Sequence, residues 1–168
     1  MNEAKTTDLA GFGQLDALNQ VAAFHTTFHH PILDVPQIPA ENRCKLRVNL
    51  LAEELQELEE AIAQKDLTGI ADALCDLQYV LSGAVLEFGL AKKFPALFDE
   101  VQRSNMSKAC QSLEEAKATV KHYAETKGEK CFIQQEGDVF LVFREADHKT
   151  MKSVGYSPAD LERILQAE

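Results

Sequence analysis

The sequence predicts an all-α fold that ends in a small β-hairpin and a short last helix. Two long segments, 46–62 and 69–90, carry apolar residues at helical spacing, and the second is apolar on almost every side. Alternating strand-forming residues begin only after Gly128, in two short runs separated by Glu136-Gly137. A lone hairpin is marginally stable, so we expect it to pack on the helices or on a partner chain.

The first forty residues predict one helix followed by an extended crossing. Residues 1–13 are polar, and we expect them to be frayed. Apolar residues then recur at helical spacing from Leu15 to Phe28. The segment 30–39 contains three prolines, which exclude a helix interior there. The first of the two long helices should therefore begin near residues 40–42.

Three more helices are predicted after the two long ones. One begins near Pro95 and runs to Lys108, and a capping-box sequence at residues 112–115 opens the next, which ends at Gly128. The last, 161–165, should have Ser157 as its N-cap. Because no repeat, linker or composition shift interrupts the chain, we expect a single domain over residues 1–168. Its core would cover about 14–109, with the C-terminal helix, hairpin and tail over 112–168.

Charge and composition exclude several classes of function. The chain has 27 acidic and 17 basic residues, a net charge of −10, which argues against binding to nucleic acid or to a membrane surface. The run from Leu74 to Leu90 is interrupted by polar residues and makes a poor membrane span. No CxxC pair occurs among the four cysteines, which we interpret as reduced thiols. We expect a cytoplasmic protein.

Acidic residues lie where the two long helices should face a core. Glu54 and Glu57 fall inside the apolar arc of the first helix, and Glu53 lies at its edge. Asp72 and Asp76 stand four residues apart on the second helix and share one face. Because a buried carboxylate is costly unless it is paired or bound to metal, this pattern favours a Mg²⁺ or Mn²⁺ site.

Other interpretations of these acids remain open. A generic acidic helix face is most often simply solvated. A di-iron bundle would need Glu-x-x-His on two helices, and no histidine follows any of these acids at that spacing. Glu87 stands eleven residues past Asp76, so we expect it on the same stripe. His25 on an apolar face is more often a satisfied core histidine than a ligand.

Asn105 and Lys108 continue the apolar face of the helix that begins near Pro95. They represent either a polar helix end that complements the helix dipole or an amide and a cation that hold phosphate. Lys149 and Lys152 lie in a predicted loop, where lysines are usually solvated. No GxxxxGK[ST] motif is present, so a P-loop would not hold the phosphate.

The order of these motifs resembles a known family. An EExxE segment, an Asp pair before LxYV and then RSNxSK resemble the MazG-like all-α nucleoside triphosphate pyrophosphohydrolases. Their superfamily includes dimeric dUTPases and phosphoribosyl-ATP pyrophosphohydrolases. The match runs from about His25 to Lys108 and resumes at 147–152 and 156–161. It implies a helical bundle of the all-α NTP pyrophosphatase type, in a homodimer or a dimer of dimers.

The resemblance also implies an activity and a set of metal ligands. The reaction would be Mg²⁺-dependent hydrolysis of a nucleoside triphosphate between the α- and β-phosphates, giving a monophosphate and pyrophosphate for nucleotide-pool housekeeping. Glu54 and Glu57 match the first pair of metal-binding acids, and Asp76 matches the last acid of the second pair. The usual Glu three residues earlier is Ala73 here. Asp72, one position before it, would substitute because it shares the face of Asp76.

Further roles follow, some from the resemblance and some, such as the base pocket, from the residues of the first helix themselves. Glu53 matches a position near the attacking water and would be the general base. The residues matched or assigned to substrate binding are Asn105, Lys108, Lys149, Lys152, His25 and Phe28, the last two forming a base pocket with Phe24. Two alternatives stay open: a nucleotide- or metal-binding helical module that lost turnover through the Ala73 change, and a structural oligomerisation bundle with solvated acids.

Overall fold

The computed structural model describes residues 13 and 15–167, and this part of the chain forms six α-helices and one antiparallel hairpin. The elements are α1 (Ala17–Thr27), α2 (Glu41–Gln64), α3 (Leu67–Glu87), α4 (Phe94–Met106), α5 (Leu113–Lys127), β1 (Cys131–Glu136), β2 (Val139–Arg144) and α6 (Leu161–Gln166). The predicted all-α fold with a C-terminal hairpin and a short last helix is confirmed. Apart from Gly13, the N-terminal segment predicted to be frayed lies outside the described residues.

The chain divides into two compact units, one running to Lys92 and the other beginning at Lys93. The first contains α1, α2 and α3, and the second contains α4, α5, the hairpin and α6. The single domain that we expect over the whole chain stays a prediction.

In the first unit, α3 packs against both α1 and α2. Only two residues, Lys65 and Asp66, join α2 to α3. Asp66 caps α3 by accepting a hydrogen bond from the Thr68 backbone N–H at 3.0 Å. The proline-containing segment crosses the end of α3 in an extended form, as expected, with the Leu33 N–H donating to the Leu86 carbonyl at 3.0 Å. A second backbone hydrogen bond, from the Gln37 N–H to the Phe88 carbonyl at 3.1 Å, also ties the crossing to the end of α3.

Gly89 is required where the crossing passes α3. Its φ is +68°, and a Cβ built there would lie 1.9 Å from the backbone oxygen of Val35. Only a residue without a side chain permits this approach at a positive φ.

The α3 helix is less enclosed than its sequence predicts. Leu67, Leu74 and Leu81 are 78%, 51% and 42% exposed, so an apolar face of α3 lies uncovered in the described chain. By length and composition this helix could span a membrane, with a mean hydropathy of 1.3, but core helices of soluble proteins pass the same test. The absence of membrane binding stays a prediction.

In the second unit, the hairpin packs on α5, as the sequence predicts for a hairpin that is marginal alone. The core consists of Cys110, Ala116, Tyr123, Val142 and Met151. The hairpin turns at Gly137, whose φ is +57°.

The cap of the last helix differs from the prediction. Asp160, and not Ser157, caps α6 by accepting from the Arg163 N–H at 3.2 Å. Ser157 instead accepts a hydrogen bond from Arg103 at 3.1 Å, because the turn before α6 lies against α4. A local sequence pattern cannot anticipate this long-range contact.

Candidate functional site

The packing of α2 against α3 collects the predicted metal-binding acids around Glu54. Burial raises the pKa of Glu54, and repulsion by neighbouring carboxylates raises it further. In decreasing order of effect, these neighbours are Glu57, Asp76, Glu53 and Asp72. Acids from both helices therefore act on one half-buried carboxylate.

The carboxylates are close neighbours, but they are not gathered as ready ligands of one ion. Within residues 13 and 15–167, no three His, Cys, Asp or Glu side chains are arranged to hold a metal. Only Glu54 is partly buried, so the inward position that we expect is wrong for Glu57, Asp72 and Asp76, which are exposed. Glu53, expected at the edge of the apolar arc, is exposed too. As donors, carboxylate oxygens fit a hard divalent cation, and repulsion around Glu54 would be relieved by one. The individual ligand assignments stay predictions.

Position 73 faces the interior of the first unit. Ala73 is only 2% exposed, whereas Asp72 and Asp76 are exposed and both act on Glu54. An acid at position 73 would have to be buried, and a buried carboxylate without a partner is costly. Asp72 and Asp76, which stand four positions apart, are therefore the two acids that α3 presents to the acids of α2.

Glu87 was expected on the stripe of Asp72 and Asp76, but it belongs to a different cluster. It is fully buried and accepts hydrogen bonds from Arg43 and Arg47 on α2, with Arg43 Nε at 3.1 Å from Oε2. Burial alone would raise the pKa of Glu87, but the hydrogen bonds from the two arginines outweigh burial and lower it. Two guanidinium groups already compensate this carboxylate, so it has no need of a metal.

Sequence reasoning missed Arg43 and Arg47, although a signal was present. The two residues are four apart and fall inside the same apolar arc of α2 as Glu54. A cation on a core-facing position requires a buried anion, and the fully apolar surroundings of Glu87 on α3 identify the partner.

His25 is held in one neutral tautomer by its two partners. Its Nδ1 lies 2.9 Å from the Pro31 carbonyl, which can only accept, so Nδ1 carries the proton. Its Nε2 lies 3.2 Å from Nη2 of Arg47, which can only donate, so Nε2 is unprotonated. Burial, followed by the charge of Arg47, lowers the pKa of His25 despite the hydrogen bond to Pro31. The interpretation of His25 as a satisfied core histidine agrees with this geometry.

A cavity of about 360 Å³ opens beside this cluster in the first unit. Aromatic, aliphatic and basic side chains line it: Val21, Phe24, His25, His30, Arg43, Leu46, Arg47, Leu50, Tyr79 and Val80. The ring of Phe24 stacks on that of His30, with centroids 5.8 Å apart. The ring of Tyr79 contacts that of Phe24 edge to face, with centroids 5.6 Å apart. The cavity thus has the flat apolar walls and few polar groups typical of a small-molecule site.

The predicted base-pocket residues are only partly at this cavity. Phe24 and His25 line the cavity, whereas Phe28 does not and is 59% exposed. The ring centroid of Phe28 lies 4.4 Å from that of Phe24. Tyr79 and His30 were missed. Tyr79 lies in the LxYV segment, which the sequence marked for its position and not for its chemistry.

The other predicted substrate-binding residues lie in the second unit. Lys108 Nζ donates to Oδ1 of Asn105 at 2.8 Å. Lys108, Lys149 and Lys152 line one cavity of about 250 Å³. Three of the predicted phosphate-binding cations are therefore brought together, although they come from different parts of the chain.

Comparison with known proteins gives one family and one curated relative. The family described as Phosphoribosyl-ATP pyrophosphohydrolase matches residues 21–105, about half of the chain, including all five acids, both arginines and Asn105. The chain is also similar to the uncharacterized protein L479 of Acanthamoeba polyphaga mimivirus, with 36% identity over 88 residues. The aligned region covers 50% of this chain but only 35% of that relative.

Proposed function

Because the chain belongs to the phosphoribosyl-ATP pyrophosphohydrolase family, within the MazG-like nucleoside triphosphate pyrophosphohydrolase superfamily, we propose that it is a nucleotide pyrophosphohydrolase. Its substrate would be a ribo- or deoxynucleoside triphosphate. Cleavage between the α- and β-phosphates would release the nucleoside monophosphate and pyrophosphate. We propose that this reaction serves nucleotide-pool housekeeping and that it takes place in the cytoplasm.

The convergence of acids on Glu54 is the observation that carries the proposal. Burial of the Glu54 carboxylate raises its pKa, and the charges of four neighbouring carboxylates raise it further. A cation would relieve the repulsion around Glu54, and the family is generally dependent on divalent metal. Mg²⁺, or Mn²⁺ in its place, would supply charge compensation at the phosphates and a water of lowered pKa.

We assign the ligand role to four of the acids. Glu54 and Glu57 on α2 and Asp76 on α3 would hold the metal, and Asp72 would take the place of the acid that the family has at position 73. The burial of Ala73 and the action of Asp72 on Glu54 support this substitution. All but Glu54 are exposed, so their side chains are free to change rotamer around an ion.

Glu53 would orient or deprotonate the attacking water. Its carboxylate is exposed at the edge of the acid cluster and within reach of the charge of Glu54. A general base must reach the water that it activates, and an exposed position beside the cluster allows this.

The cavity beside His25 would hold the nucleobase. Phe24 and Tyr79 offer aromatic faces for stacking, and Phe28 extends the aromatic set outward. Since His25 is fixed with Nδ1 bonded to Pro31, it would shape the cavity wall through its Nε2 side, next to Arg47.

Phosphate charge would be met by Asn105, Lys108, Lys149 and Lys152. Lysine ammonium groups and amides are suitable donors to phosphate oxygens, and Lys108 is positioned by its hydrogen bond to Asn105.

A homodimer, or a dimer of dimers, is the assembly that we propose. The uncovered leucines of α3 at positions 67, 74 and 81 support it, because apolar patches of this kind mark interfaces. The net charge of −10 supports the absence of nucleic-acid and membrane partners.

Glu57→Gln tests the catalytic proposal. The purified chain would be assayed for pyrophosphate release with a panel of ribo- and deoxynucleoside triphosphates, with Mg²⁺. We expect a loss of more than about 10-fold, the range seen when outer partners of metal ligands are removed. Glu59→Gln, an exposed acid of the same helix outside the cluster, is the matched control. Full activity of a folded Glu57→Gln protein would refute the assignment.

A second candidate function is a nucleotide- or metal-binding module without turnover. The buried Ala73, where the family has an acid, favours it. Thermal stabilisation by nucleotide and Mg²⁺ without release of pyrophosphate would identify this module. A structural bundle with solvated acids would show neither effect.

A further inference from the structure

The wall of the cavity beside His25 has groups that only donate hydrogen bonds and, among the described residues, no group that only accepts them. Arg43 and Arg47 line the cavity, and neither a carboxylate nor an amide side chain does. Glu87 lies next to both arginines, but it is fully buried and lies outside that lining. Because an arginine side chain can only donate, the charged part of this wall suits a ligand group that accepts.

Arg43 is the arginine of this wall that a ligand can reach. Its side chain is 27% exposed, whereas Arg47 is buried. Nε and Nη2 of Arg43 both donate to the carboxylate of Glu87. In the part of the chain that the structure describes, Nη1 of Arg43 donates no hydrogen bond. The two N–H groups of Nη1 therefore remain for an acceptor that a ligand brings.

Arg47 adds one more donor that has no partner. Its Nη2 bonds Glu87 and lies 3.2 Å from Nε2 of His25. Its Nε is buried and has no hydrogen-bond partner among the described residues, and a buried donor without a partner is costly. Donors therefore outnumber acceptors around this wall, and an amino group of a ligand would add another donor.

The guanidinium group of Arg43 is held in place before a ligand binds. Both oxygens of Glu87 accept from it, with Nε at 3.1 Å from Oε2. Glu87 lies on α3 and is held in turn by Arg47 of α2. A donor that is fixed in this way loses little freedom on binding an acceptor, and it cannot easily turn away from a group that it does not match.

The polar rings of the wall do not discriminate between a carbonyl and an amino group. Both nitrogens of His25 are already engaged, Nδ1 with the Pro31 carbonyl and Nε2 with Arg47. His30 and Tyr79 also line the cavity, but each can donate or accept a hydrogen bond, so they tolerate either group. Discrimination at this wall therefore depends on Arg43.

We propose that Arg43 selects nucleotides whose base has a carbonyl oxygen where adenine and cytosine have an amino group. The carbonyl oxygen accepts from Nη1, whereas the amino group places a donor against a donor. Arginine is likewise the usual partner of the O6 and N7 acceptors of guanine in protein–DNA complexes. This inference rests on the proposed function, because it takes the cavity as the site of the nucleobase.

The test is calorimetric titration of the full chain, with Mg²⁺, using four deoxynucleoside triphosphate analogues. In each analogue a methylene group replaces the oxygen between the α- and β-phosphates, so no cleavage occurs during the titration. Hypoxanthine is compared with adenine, and uracil with cytosine. We expect the analogue with the carbonyl to bind about 10-fold more tightly in each comparison, the effect of one hydrogen bond from a charged donor. Equal affinities in either comparison would overturn the proposal.

Arg43→Lys tests the residue itself. The variant keeps a positive charge beside Glu87, but its single ammonium group is taken up by that carboxylate, so we expect equal affinities in both comparisons. Lys45→Arg, the reverse exchange, is the matched control, because Lys45 is exposed on the same helix and pairs with Glu41 at 2.6 Å. It should keep the native preference. A folded Arg43→Lys protein with that preference intact would refute the role of Arg43, and the comparison in the native chain needs no variant.

The analogues report binding without turnover, so the two proposals fail separately. Discrimination among the analogues without pyrophosphate release from the natural triphosphates would refute the hydrolase and leave Arg43 as the selecting residue. Pyrophosphate release from dITP and dATP with equal KM values would refute the selection and leave the hydrolase intact. If none of the four analogues binds, the cavity is not a nucleobase site, and the selection by Arg43 is refuted with it.

Discussion

Nη2 of Arg47 lies 3.2 Å from Nε2 of His25, and this contact links α2 to α1 inside the first unit. The same nitrogen of Arg47 also bonds Glu87 on α3. One guanidinium group therefore connects all three helices, next to the cavity proposed for the nucleobase. The first three predictions concern this cluster.

Glu87→Gln should destabilise the protein strongly. The variant keeps the shape of the side chain but leaves Arg43 and Arg47 without their counter-charge, and Arg47 is 7% exposed. Breaking a buried ion pair on one side lowers the free energy of unfolding by about 3 kcal/mol or more. Urea denaturation measures the change, and Glu59→Gln on the exposed face of α2 should stay within about 0.5 kcal/mol. Equal midpoints for the two variants would contradict this.

Stability should fall as the pH drops from 7.5 to 5.5. The pKa of His25 is lowered by burial below its ordinary 6.5, so the unfolded chain binds the proton more readily than the folded chain. The stabilisation is fully present above pH 6.5 and is lost as the pH falls through the lower pKa of the folded state. Urea denaturation across this range measures it. In His25→Gln, the free energy of unfolding should change less with pH over this range. An unchanged pH dependence in this variant would show that other groups cause it.

Gly83→Ala should destabilise the first unit, although alanine is the better helix former. A Cβ at this position in α3 would lie 2.6 Å from Arg47 Nη1 and 3.0 Å from His25 Nε2. Arg47 cannot swing aside cheaply, because Glu87 and His25 hold it in a buried position. We expect a loss of about 1–3 kcal/mol from overpacking. An increase of about 1 kcal/mol in the free energy of unfolding, the normal effect of Gly→Ala in a helix, would show that the Arg47 side chain moves to make room for the methyl group.

Asp72→Asn and Ala73→Glu test which position of α3 serves the metal. Asp72→Asn should reduce pyrophosphate release by more than about 10-fold. Ala73→Glu should lower stability by about 3 kcal/mol without raising turnover, because its side chain would enter the interior. Thermal denaturation measures the stability of each variant, and the pyrophosphate assay measures its turnover. A well-folded Ala73→Glu protein with increased activity would show that position 73 reaches the site.

The elements were predictable from the sequence because their signals are local. Helical spacing identified α2 and α3, and Gly128 marked the end of α5. Gly137 marked the hairpin turn, where the backbone has a positive φ. In each case the signal lies within a few residues of the feature, so one stretch of sequence contains it.

The polar clusters were not predictable, because they join residues that are distant in the chain. Glu87 lies 44 residues from Arg43 and 40 from Arg47, so no periodicity connects them. The same holds for Lys127, which shares a cavity with Lys149 only because α5 packs on the hairpin. Exposure of Asp72 and Asp76 was also missed, since helical position gives a direction and not the depth of burial.

The uncovered leucines of α3 have a consequence for how the protein behaves on dilution. If a second copy covers Leu67, Leu74 and Leu81, part of the free energy of folding comes from association, and a lone chain lacks it. The melting temperature should then rise with protein concentration, and Leu74→Lys should remove that dependence. Folding and assembly would be one equilibrium, so the amount of this protein present would itself set how much of it is folded.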